Sequence, residues 1–142
     1  MNIFFDMDGT IADLYSVENW LEDLIHEETR PYTEARPLLN LSQLARLLNR
    51  LNNNGHTINI ISWTSKNGTS TYNEAVKQAK LQWLEKHLKS VHFTEIIIIP
   101  YGTPKRLYGE GILFDDEEHN RIDWGEGAYS EKEIIQVLKS LL

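Results

Sequence analysis

Asp6 and Asp8 stand two residues apart at the end of a short apolar run, Ile3-Phe4-Phe5, and Gly9-Thr10 follow at once. On an extended chain, residues i and i+2 lie on the same side, so both carboxylates can face one small ligand. Carboxylates held that close repel, and a fold keeps them together around a cation or a shared proton. Gly9 allows a sharp turn that brings backbone N–H groups close to an anion. Carboxylates for a metal beside amides for a phosphate point to phosphoryl chemistry.

Four later residues carry related chemistry. Ser62 closes the run Ile58-Asn59-Ile60-Ile61, where a hydroxyl can either hydrogen-bond a phosphate oxygen or simply cap the loop. Lys105 follows Pro104 at the start of a helical turn, a place where a cation opposes the local dipole unless an anion binds there. Arg106 is a rival for that role, and Lys66 and Lys80 are weaker ones. Asp115 and Asp116 follow Gly111-Ile112-Leu113-Phe114. Adjacent acids cannot point the same way, so one should meet the cation and the other bind outer-shell water or orient Lys105. Asp115 is assigned to the metal and Asp116 is the second choice. Hard oxygen ligands without a Cys or His cluster select Mg²⁺ over zinc.

The elements that must position these groups alternate between strand and helix. Strands are expected at Ile3–Asp6, Thr57–Ser62, Glu95–Ile99 and Gly111–Phe114, the third apolar enough to be covered on both faces. Helices are expected over Val17–Glu28 (capped by Ser16, with Trp20 on its core stripe), Leu41–Leu51 and Tyr72–Lys89. Arg30–Pro37 reads as a connection, Thr103–Tyr108 as a helical turn, and Ser130-x-x-Glu133 as a capping box opening a last helix. Glu117 and Glu118 read as a solvated turn. This pattern predicts a three-layer α/β sandwich with a mainly parallel sheet and ligands beyond the strand C-termini.

Asp-x-Asp-Gly-Thr after an N-terminal apolar strand resembles motif I of the haloacid dehalogenase superfamily, most of whose members are phosphatases. Ser62, Lys105 and Asp115 match motifs II, III and IV in order. The resemblance implies a Rossmann-like core in which Asp6 attacks phosphorus and Asp8 is the general acid/base. Gly9, Thr10, Ser62 and Lys105 would then bind phosphate, and Asp6, Asp8, Asp115 and Asp116 would hold Mg²⁺. The Lys105 spacing resembles that of the 5′(3′)-deoxyribonucleotidases. Their insert is longer, however, and neither gap between motifs here holds a full cap domain. Residues 14 to 37 form at most a small lid, with Tyr15, Tyr32 and Trp63 the aromatics available to a base.

The chain has 142 residues, enough for one domain burying roughly two-thirds of its unfolded surface. It has no apolar stretch of about 20 residues, hence no expected membrane span. It also has no basic leader. The absence of cysteine fits a cytoplasmic protein. The net charge of −7 argues against a protein built to grip extended nucleic acid, but not against one acting on a small phosphate ester. His26, His56, His87, His92 and His119 are scattered and read as surface or packing residues. The expected function is Mg²⁺-dependent hydrolysis of a nucleoside monophosphate or similar small phosphomonoester. Two alternatives are a nucleic-acid end phosphatase and a non-catalytic binding protein of the same fold. An open site would also suit a homo-oligomer in which a second subunit closes it.

Overall fold

A computed structural model describes residues 1–142. Its main sheet contains β1 (Asn2–Phe5), β4 (Thr57–Trp63), β5 (Glu95–Ile99), β6 (Ile112–Phe114) and β7 (Ala128–Tyr129), in the order β5-β4-β1-β6-β7. Every neighbouring pair in it is parallel. A separate antiparallel pair joins β2 (Ala12–Asp13) to β3 (Arg36–Pro37). The helices are α1 (Trp20–Ile25), α2 (Arg30–Glu34), α3 (Leu41–Asn53), α4 (Ser70–His87), α5 (Glu118–Trp124) and α6 (Ile134–Ser140). Central β1 has β4 on one side and β6 on the other. The chain therefore reverses its winding at β1, and the crevice that such a switch opens lies beyond the C-terminus of β1, where Asp6 stands.

Alternation along β1 builds the three layers. Ile3 and Phe5 face Leu44, Leu48 and Leu51 of α3, Trp83 and Leu84 of α4, and Leu138 of α6. Phe4 faces the opposite way, packing with Ile61, Ile99 and Leu113, and its ring meets Trp124 of α5 edge-on at 5.4 Å. The second face is tight as well, since a Cβ on Gly109 would collide with the Phe4 ring. The expected α/β sandwich is therefore the observed one, and the parallel sheet carries no full cap domain.

Several local expectations are corrected. The helix foreseen over Val17–Glu28 shrinks to α1, because Leu14–Ser16 forms a separate 3-10 turn and left-handed Asn19 and Glu27 bracket the helix. Ser16 does not cap it. The supposed connection Arg30–Pro37 contains α2, with Pro31 in its first turn, and β3. The acids after Asp116 lead into α5, whose only buried residue is Asn120. β5 lies at the sheet edge with one partner, so Ile96 stays exposed and the strand is not covered on both faces. The capping box does form: the Glu133 carboxylate accepts from the Ser130 amide at 2.9 Å, and a 3-10 turn leads into α6.

Core and lid differ sharply in energetic weight. Leu51 is 0% exposed between α3 and the sheet, so Leu51→Ala leaves a cavity and should cost about 2–5 kcal/mol in urea unfolding. Leu21 on α1 is 55% exposed, and Leu21→Ala should stay within about 0.5 kcal/mol.

Candidate active site

Two buried lysines organise the aspartates. Lys105, 4% exposed in the 3-10 turn Lys105–Leu107, donates from Nζ to Asp6 Oδ1 at 3.0 Å and to Asp115 Oδ2 at 2.6 Å. Lys80, 1% exposed in the middle of α4, donates to Asp8 Oδ2 at 2.8 Å, Ser62 Oγ at 2.6 Å and the Trp63 carbonyl at 2.7 Å. Thus Asp6 and Asp8, two residues apart, are held by different cations. Lys105, expected to bind phosphate and offset the carboxylates, lies against two of those carboxylates. Lys80, ranked as a weak rival, is also part of the site.

Thr10 and Gly9 shape the turn after β1. The Thr10 hydroxyl lies 3.2 Å from both Asp6 Oδ2 and Asp116 Oδ1, and it accepts from the Asp116 amide at 3.1 Å. With one proton it serves one of the two carboxylates at a time. Gly9 has φ +80, and a Cβ there would collide with the Asp116 carboxylate and crowd Tyr15. The amides expected to receive phosphate are otherwise engaged: Gly9 N–H donates to Ala12 O at 2.8 Å and Thr10 N–H to Met7 O at 3.1 Å. The turn leaves the Met7 and Asp8 amides free of partners instead.

Asp115, expected to meet the metal, and Asp116, the second choice, have different surroundings. Asp115 is 0% exposed, and its carboxylate accepts from Lys105, from Asn120 Nδ2 at 3.2 Å and from the Glu117 amide at 2.9 Å. Asp116 lines the central cavity beside Asp6, while Asp115 does not reach it. Carboxylate oxygens of Asp6, Asp115 and Asp116 lie within 4.8 Å of one another, whereas the Asp8 side chain stands outside this group with Lys80. Of the three carboxylates that could hold a cation, Asp6 and Asp116 line the cavity and Asp115 holds Lys105.

The charge balance fits a divalent cation. Four carboxylates against two ammonium groups leave two uncompensated negative charges when all are ionised. Without a cation the cluster keeps protons instead. Burial and the nearby Asp6 charge push Asp116 up to about 8. Burial and Asp6 likewise push Asp115 up to about 6 against the pull of Lys105. Burial raises Asp8 as well, although Lys80 opposes it. Burial alone would lower the Lys105 ammonium, but Asp6 and Asp115 outweigh it and hold it raised. The donors are hard oxygens, the set that suits Mg²⁺.

Above these groups lies a cavity of about 380 Å³. Asp6, Asp8, Ser62, Lys105 and Asp116 form its polar end. Its other walls include Leu14, Tyr15, Trp20, Leu24 and Tyr32, with Trp63 and Tyr101. Trp20 is thus a wall residue meeting Tyr15 edge-on at 5.0 Å, not the core residue expected, and α1 buries no side chain at all. The covering segment is fastened across the cavity: Glu27 accepts from the Thr69 amide at 2.9 Å and from its hydroxyl at 3.0 Å. Tyr72 donates to the Glu28 carbonyl at 2.7 Å. Of the aromatics named from sequence, Tyr15, Tyr32 and Trp63 all line this space.

No protein-family model matches the sequence, and no curated protein matches it. Solved structures that share its fold include the crystal structure of D,D-heptose 1,7-bisphosphate phosphatase from Burkholderia thailandensis. The likeness covers 98% of this chain and 96% of that one at a TM-score of 0.60 and 12% identity. At that identity the likeness establishes the fold alone, a Rossmann-like α/β core carried here in a chain of nearly the same extent.

The raised carboxyls make stability depend on pH. A group at 3.8 when unfolded and about 8 when folded holds a native-state proton throughout that interval, so stability falls as pH rises through it. In EDTA, the melting temperature of the wild type should fall by several degrees relative to Asp116→Asn across this window. Scanning fluorimetry checks this, and parallel pH profiles would contradict it.

Proposed function

We propose that the chain is a Mg²⁺-dependent phosphomonoester hydrolase working through an aspartyl-phosphate on Asp6. The observation that carries this reading is that Asp6 and Asp8 both face one cavity while separate buried lysines hold them. The phosphatase that shares the fold supports the reading at the level of reaction class. Asp6, already against Lys105, attacks phosphorus, and the bond from phosphorus to the ester oxygen breaks. Asp8 gives its proton to the departing alkoxide. It then takes a proton from the water that attacks the aspartyl-phosphate and releases inorganic phosphate. Lys105, Ser62 and the free amides of Met7 and Asp8 would stabilise the phosphoryl oxygens. Asp6 and Asp116 would hold Mg²⁺, which when bound neutralises charge on the transferring group.

The walls carry the substrate reading. A phosphoryl group at the polar end leaves the rest of the cavity for an organic moiety against aromatic and aliphatic side chains. A nucleoside monophosphate suits this division, its base stacking on Tyr15, Trp63 or Tyr101. Such stacking contributes about 1–3 kcal/mol, a preference of one or two decades in kcat/KM. A cytoplasmic setting agrees with the cysteine-free composition.

Phosphate release from mononucleotides, sugar phosphates and end-phosphorylated oligonucleotides tests the substrate. Nucleotides should lead by about tenfold or more. Equal rates on sugar phosphates would remove the nucleotide preference, and a lead for oligonucleotide ends would replace it with end processing. Asp6→Asn should abolish turnover with the fold intact, and near-normal activity there would refute covalent catalysis. EDTA should silence the enzyme, with Mg²⁺ restoring it better than Ca²⁺, whose longer bonds would displace the nucleophile. Asp116→Ala should raise the Mg²⁺ requirement more than Asp115→Ala, whose defect should fall on kcat through Lys105. The opposite ranking would return the direct metal contact to Asp115.

A further inference from the structure

Lys80 stands outside the reaction scheme, yet it is almost completely buried and spends all three ammonium protons at the site. Its partners come from two separate segments: Asp8 from the turn after β1, and Ser62 with the Trp63 carbonyl from the end of β4. α4 delivers this cation between Val76 and Leu84, both buried one helical turn away, so the ammonium cannot reach solvent without leaving the core. Tyr32 closes it from the lid side, with its ring centre 5.3 Å from Nζ. Burying a lysine is costly, and these three bonds offset that cost only while the two segments keep their present spacing.

The direction of the bonds matters. An ammonium only donates, so Ser62 Oγ must accept from Lys80, and its own hydroxyl proton is left to point elsewhere. Ser62 also lines the cavity, which makes that proton available to an oxygen bound there. The same ammonium fixes Asp8 Oδ2 and so sets the direction in which the remaining carboxylate oxygen faces the cavity. We infer that Lys80 is a positioning residue for phosphoryl transfer. It holds the proton-transferring Asp8 at the leaving-group side while committing Ser62 to donate to the phosphoryl oxygens. This rests on the phosphatase reading above.

Rates on p-nitrophenyl phosphate, phenyl phosphate and β-glycerophosphate, measured for wild type and Lys80→Met with saturating Mg²⁺, test the inference. A displaced Asp8 matters most when the leaving oxygen needs a proton. Lys80→Met should therefore lose about 10²-fold in kcat on β-glycerophosphate but less than about tenfold on p-nitrophenyl phosphate. Its inhibition constant for inorganic phosphate should also rise, and adding Ser62→Ala should raise it little further. A chemical variant guards against misfolding. The chain has no cysteine, so Lys80→Cys can be alkylated while unfolded, with 2-bromoethylamine to restore an ammonium or with 1-bromopropane to give a neutral chain of similar length. After refolding, only the aminoethylated protein should recover activity on β-glycerophosphate. Equal loss on all three esters, or equal recovery with the propyl chain, would show a packing role and overturn the inference while leaving the phosphatase reading in place. A wild type inactive on every ester would overturn both.

Discussion

Asp6, Asp8, Asp115 and Asp116 occupy a space where four ionised carboxylates could not coexist unaided, and two buried lysines keep them there. Lys105 spans Asp6 and Asp115, while Lys80 spans Asp8 and the end of β4. Neither lysine would be tolerated in the interior without its acids, and the acids would repel one another without the lysines. The balance is left two charges short, and Asp6, Asp115 and Asp116 are close enough together for a cation to complete it. Charge compensation therefore fixes the shape of the site before any substrate arrives.

The fold serves this constraint by bringing distant segments to one point. β1 delivers Asp6 and Asp8, β4 delivers Ser62, β6 delivers Asp115 and Asp116, and α4 reaches in from the side with Lys80. The sheet order places β4 and β6 on either side of β1, so all three C-terminal ends converge. Apolar packing on both faces of β1 holds that convergence rigid: Ile3 and Phe5 seat against α3, α4 and α6, and Phe4 seats against Trp124. The segment from Leu14 to Pro37 packs Leu14 and Tyr32 on Tyr72, Val76 and Ala79 of α4. It is tied down by Glu27 on Thr69 and by the β2–β3 pair, and it supplies the apolar walls of the cavity.

Strand-end acids were legible because their chemistry is local: an apolar run, a carboxylate pair and a glycine signal a delivered site within a few residues. The parallel core followed from the alternation of strand and helix signals along the chain. Lys80 was harder to see because a lysine in a helix normally faces water. The signal was present, however: Lys80 lies four residues after Val76 and four before Leu84, on the stripe that α4 buries. Asp115 and Asp116 could not be told apart because adjacent residues differ only in which way each strand-end side chain turns. That is settled by Lys105 and Asn120 drawing Asp115 inward. β7 spans two residues, too few for any alternation to register, and the continuous isoleucines of β5 say nothing of whether a second strand lies beside them.

The central claim is that Asp6 becomes covalently phosphorylated. Rapid acid quench of the enzyme during turnover of a ³²P-labelled phosphomonoester, followed by peptide mapping, tests it most directly. The account predicts a transient label, stable in acid and lost in alkali, on the peptide that contains Asp6. Turnover without protein-bound label, or label on any other residue, would contradict it.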